Sequence, residues 1–144
     1  MDNQEATPEY TIVTLSEQLF FIRWHYSPPV NRVLVEFLQD MERLLNVAGQ
    51  PIYFISDLRR GRIANVETLL KLSNLADHPY WGGGTSFSRD RGTSLYTGVF
   101  AQFARKHGVD DKTYDTPEEA LAYLESLAPQ ITAGIDWLSL INGH

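Results

Sequence analysis

Between Gly49 and Asp57 the chain reads GQPIYFISD, and Ile52, Tyr53, Phe54 and Ile55 follow one another without polar alternation. An apolar run bounded by Pro51 and by Ser56-Asp57 is the pattern of a strand covered on both faces, as in a parallel sheet with helices on each side. Asp57 closes the strand, and Gly61 permits a turn that other residues resist. Asn65 is placed to cap the helix that follows. In that helix Val66, Leu69, Leu70, Ser73 and Ala76 fall on one face. A strand feeding a loop and then a helix directs the fold toward an α/β class.

The flanking segments fit the same scheme. Tyr10 to Leu15 alternates apolar and polar residues, and Leu19 to Tyr26 (LFFIRWHY) is rich in aromatic and β-branched residues. The short link Ser16-Glu17-Gln18 makes these two an antiparallel hairpin. Pro28-Pro29 then starts a helix in which Val30, Val33, Leu34, Phe37, Leu38, Met41, Leu44, Leu45 and Ala48 repeat at helical spacing, with Gly49 at its end.

After the second helix, His78 to Gly84 (HPYWGGG) reads as a turn-rich segment, either a mobile lid with Tyr80 and Trp81 as aromatic contacts or a connection in which Trp81 packs on the sheet edge and the glycines only link. Thr85 to Ser88 is a weak strand. Leu95, Val99, Phe100, Phe103 and Ala104 mark a helix ending at His107-Gly108, and Lys112 to Tyr114 a further strand. Thr116, Pro117 and Glu119 form the capping box of another helix. Beyond Pro129, Ile131, Ile135, Leu138 and Ile141 mark one face of a terminal helix that Trp137 widens. Its apolar face suits packing on its own domain or on a second copy.

The expected fold is therefore an α/β domain. Its mixed sheet has about five strands, an N-terminal antiparallel hairpin and then mainly parallel strands, under roughly four to five helices. Residues 1–9 read as a disordered leader, 10–128 as the domain and 129–144 as a helical extension.

Composition narrows the functions. The chain has 144 residues, no cysteine and a net charge of -6. Disulfides, zinc-thiolate sites and thiol catalysis are excluded. The acidic balance argues against broad nucleic-acid binding, which depends on neutralising phosphates. No apolar run is long enough to span a bilayer, and the polar start MDNQEATPE is unlike a secretory signal, so a cytoplasmic location is expected.

The strand ending Ser56-Asp57-Leu58, the loop to Asn65, the helix from Val66 and the run Tyr114-Asp115-Thr116-Pro117-Glu118-Glu119-Ala120-Leu121 together resemble a STAS domain. The nearer resemblance is to the SpoIIAA-like group of small bacterial proteins, kin of the anti-sigma-factor antagonists. It implies a non-catalytic regulatory module that binds a protein partner through the 57–65 loop face. A carrier of a small apolar or anionic, lipid-like ligand is the alternative. The family's phosphorylated serine lies in an Asp-Ser-Ser-Gly-like motif at the start of this helix. Here the region reads Ile63-Ala64-Asn65-Val66-Glu67-Thr68, with Thr68 the nearest hydroxyl, so the phospho-switch is not expected.

Arginines supply the main candidate site. Arg59, Arg60 and Arg62 follow one inner strand, and Arg89 and Arg91 follow the next. If both strands are parallel, the two loops leave the same edge, where ligands tend to meet open sheets. With Asp57 and Asn65 they suit a phosphate, a carboxylate or an acidic patch on a partner. Equally, they can be solvated or paired with Asp57 and Asp90. His25, His78, His107 and His144 are dispersed, with no metal-ligand spacing. Ser56, Asp57 and His78 lack a nucleophile elbow. Neither enzyme activity nor a cofactor is expected.

Overall fold

The structure, a computed structural model, describes residues 8–27, 31–61, 66–88 and 113–142. Among these, strands β1 (Tyr10–Thr14), β2 (Leu19–Trp24), β3 (Ile52–Asp57) and β4 (Trp81–Phe87) alternate with helices α1 (Asn31–Ala48) and α2 (Val66–Leu75). Helices α3 (Pro117–Leu127) and α4 (Trp137–Asn142) follow.

The four strands stand side by side in chain order. β1 and β2 are the expected hairpin, closed by the Leu15 N–H donating to the Leu19 carbonyl at 2.9 Å. β2, β3 and β4 are parallel. Because the parallel part grows in one direction, crossovers of a single hand put both intervening helices on one face. Phe37, Met41 and Leu45 of α1 and Ala76 after α2 accordingly pack on Phe20, Ile22, Trp24 and Phe54. The other face presents Leu19, Phe21, Ile55 and Phe87 to Ala120 and Leu124 of α3. Phe21, Ile22 and Ile55 are almost fully buried, and each such side chain contributes roughly 1.5–3 kcal/mol.

The helix ends follow local chemistry. Gly49 terminates α1 with φ of 72°, a left-handed position that glycine occupies without a Cβ penalty. At α3, Thr116 Oγ1 accepts from the Glu119 N–H at 3.3 Å with proline in the first turn, the anticipated box.

Several expectations are corrected. HPYWGGG is not a lid. Trp81 and its glycines are the body of β4, and Trp81 is 5% exposed with its ring 5.1 Å from that of Phe54. Glycine weakens a strand on its own, which is why the segment reads as a turn. Here neighbouring rings occupy the glycine faces. A Cβ on Gly82 would lie 2.6 Å from the Tyr53 ring, and one on Gly84 3.1 Å from the Trp81 ring. Leu70 is 42% exposed rather than in the α2 stripe, and Leu138 is 74% exposed.

The terminal helix is shorter than its periodicity suggests. Residues 128–134 form turns, with φ of 76° at Gln130 and 77° at Gly134. Glu125 holds this stretch, accepting from the Gln130 and Thr132 N–H groups at 2.9 Å each. The Thr132 hydroxyl bond first, and then those two backbone bonds, keep its carboxyl below the usual range. α4 packs on its own domain through Trp137, Leu140 and Ile141.

The further strand reduces, among the described residues, to a single parallel bridge from Phe87 to Tyr114. The expected helix around Leu95 to Ala104 lies outside the described residues, as do Val30, Arg62, Asn65, Arg89, Arg91 and Lys112.

Candidate functional site

β2, β3 and β4 end together. Arg23 is the register partner of Asp57, and Asp57 that of Phe87, so a cation, an anion and a ring lie in one row at the carboxyl edge. Alternation along the strands turns Arg23 and Asp57 to the face that Phe21 and Ile55 share with α3.

Asp57 is 3% exposed and accepts four hydrogen bonds. Oδ2 takes Arg23 Nε at 2.9 Å and Arg59 Nη2 at 2.8 Å. Oδ1 takes Arg59 Nε at 2.9 Å and the Arg59 backbone N–H at 3.0 Å. Burial alone would push this carboxyl up. The Arg59 side-chain and backbone bonds, the Arg23 bond and the Arg59 charge outweigh it, leaving Asp57 below the usual carboxylate range. The Arg59 guanidinium is correspondingly raised by its bond to Asp57.

Each guanidinium also has an aromatic floor. Arg23 Cζ stands 5.0 Å from the Phe21 ring centroid, and Arg59 Cζ 5.3 Å from that of Phe87. Such stacking keeps the planar groups flat and oriented. The remaining reach of both goes to α4. Arg23 Nη2 donates to the Leu140 carbonyl at 2.7 Å, and Arg59 Nη2 to the Ile141 carbonyl at 2.7 Å. The last carbonyls of a helix lack internal partners, and cations suit that end. Two arginines therefore clamp one buried carboxylate below and two helix-terminal carbonyls above. Beside the clamp runs a groove of about 710 Å³, lined by Arg59, the start of α3, and Trp137, Leu138 and Ile141 of α4.

Of the anticipated residues, Asp57 and Arg59 meet directly, and Arg60 is exposed beside them. β3 and β4 are parallel, so the chain leaves both at the same edge, as the two-loop reading requires. Gly61 matters for closeness: a Cβ there would lie 2.3 Å from the Tyr26 carbonyl carbon, so the loop after β3 passes against the loop after β2. Tyr80 is half-buried, while Trp81 lies within the core and has no surface to offer a partner. His78 is at the opposite, amino end of β4, bonded to Asn46 at 3.0 Å, so Ser56, Asp57 and His78 do not assemble. Among the described residues no group of three or more His, Asp or Glu is placed to hold a metal ion, and no helix is long and apolar enough to cross a membrane.

Arg23 is absent from the sequence-derived site. Its one signal is that it is the sole formal charge within LFFIRWHY, on the alternation of Leu19 and Phe21. Compared with protein-family models, curated proteins and solved structures, the chain matches none of them.

Proposed function

We propose that this protein is a non-catalytic, STAS-like regulatory module that docks a protein partner at the carboxyl edge of its sheet, through the 57–65 loop face. The observation that carries the reading is the pair of guanidiniums held at that edge against one carboxylate, which leaves an excess positive charge. Nη1 of both arginines donates to no group among the described residues, which leaves donors for acidic groups on a partner. The hairpin followed by parallel strands supports the STAS likeness, and such a fold hosts function through its site rather than its topology.

The test is capture of a partner by wild type and by a variant with Arg59, Arg60 and Arg62 changed to Ala, each checked for intact fold by circular dichroism. The reading requires capture by wild type and loss in the variant. Equal capture by both proteins excludes this face.

The groove beside Arg59 favours a second reading, a carrier of a small amphiphile with an anionic head. Leu121, Trp137 and Ile141 supply its apolar wall, and Asp115 and Glu118 add opposing charge. Both faces of β2 are filled, Phe20, Ile22 and Trp24 packing on α1 and Leu19 and Phe21 on the α3 side, so the groove is the space such a ligand would use. Native mass spectrometry of the purified protein distinguishes the readings, since only a carrier retains a small molecule.

A further inference from the structure

We infer that Arg23 and Arg59 form an oxyanion site that the chain keeps closed with its own helix α4, and that an incoming oxyanion opens it by replacing the Leu140 and Ile141 carbonyls. The inference rests on the binding reading above and adds the chemistry of the ligand and the means of control.

The donor arrangement carries the argument. Two Nη2 groups converge on two oxygens of successive residues, at 2.7 Å each. Side-by-side oxygens are what a carboxylate or a phosphate presents, and arginine binds them in paired fashion. The pair is preorganised by Asp57 beneath and by the rings of Phe21 and Phe87. It carries one positive charge in excess, while the groups now bonded to it are neutral carbonyls. A charged acceptor makes a bond about twice as strong as a neutral one.

The occupant is built to leave. α4 has six residues and none is buried, and a helix that short does not persist without tertiary support. Its start is held by Asp136, whose carboxylate accepts from the Ser139 N–H at 3.2 Å and the Ser139 hydroxyl at 2.9 Å. The preceding turns are fixed by Glu125, and α4 adds to them one indole bond, Trp137 to the Thr132 carbonyl at 3.0 Å, and the half-buried contacts of Leu140 and Ile141, so releasing 138–142 costs few interactions and leaves 128–134 in place.

The experiment is a titration of the ¹⁵N-labelled full chain with inorganic phosphate and, separately, with acetate. It follows the Arg23 and Arg59 Nε–H signals and the amides of residues 138–142. The expected result is a saturable shift of both arginine signals together with movement of the α4 amides to unstructured positions. A response to both anions gives a general oxyanion site, and a response to phosphate alone narrows it to phosphate. In Asp136→Ala, which loosens the competing helix without touching the arginines, affinity should rise about fivefold, the equivalent of an ordinary N-cap.

The inference is overturned if neither anion gives a saturable shift in the millimolar range, if the arginine signals move while α4 stays folded, or if Asp136→Ala binds no tighter. If both anions fail while partner capture still depends on Arg59, Arg60 and Arg62, the docking reading stands and this one falls. If the titration succeeds and capture fails, the reverse holds.

Discussion

Arg23 and Arg59 share one oxygen. Their Nε and Nη2 atoms lie 2.9 and 2.8 Å from Oδ2 of Asp57, although one arginine sits within β2 and the other in the loop after β3. Each also reaches a carbonyl of α4. The carboxylate thereby organises three segments far apart in sequence.

Asp57→Ala should destabilise the protein by about 3–5 kcal/mol, because Arg23, with a side chain only 11% exposed, is left as an uncompensated charge. Arg59→Gln should cost less, about 1 kcal/mol, since Arg23 still pairs with the carboxylate and Arg59 is 36% exposed. Urea unfolding measures both, and the ranking requires a larger shift in midpoint for Asp57→Ala at unchanged slope.

The same pair sets an acid dependence. Asp57 is held below its ordinary value of 3.8, so the unfolded chain takes up its proton first as pH falls. Its stabilisation is complete above the ordinary carboxyl range and is lost as pH falls through the lower, folded value. The stability gap between wild type and Asp57→Asn should shrink as pH is lowered from neutrality through that window. Urea titrations across the range give the gap, and one that widens on acidification refutes the assignment.

Gly61→Ala should be more harmful than Gly49→Ala. At Gly61 a Cβ would meet backbone at 2.3 Å, and the loops after β2 and β3 must part, a cost of about 1–3 kcal/mol or more. At Gly49 there is open space, and only the left-handed backbone is penalised, by roughly 1 kcal/mol. Thermal unfolding of both variants ranks them.

Trp137→Phe removes the indole N–H that donates to the Thr132 carbonyl at 3.0 Å. The expected loss is about 1 kcal/mol, confined to α4. Amide exchange should speed up in residues 138–142, while the amides of β3 keep their protection.

Much of this fold is legible from residue spacing. The long stripe from Val33 to Leu45, the unbroken run Ile52 to Ile55 and the Thr116–Glu119 box each follow from local rules. β4 does not, because its glycines have low strand propensity, and Gly82 and Gly84 act by accommodating the rings of Tyr53 and Trp81, a tertiary matter. The turns at 128–134 are hidden for a similar reason: Gln130 takes a positive φ while Glu125, five residues earlier, satisfies its N–H.

Half of the candidate site follows the same logic. Asp57 and Arg59 are adjacent in the loop reading. Arg23 joins them only because β2 lies next to β3 in one particular register, which no local pattern specifies.

The tie between the sheet edge and α4 is measured most directly by amide hydrogen exchange on wild type and Arg23→Gln/Arg59→Gln. The predicted result is loss of protection at Leu140 and its helix neighbours in the double variant, with β3 amides still protected. Equal protection of α4 in both proteins would contradict it, and would mean that the helix is held by its apolar contacts and the Trp137 bond without the arginines.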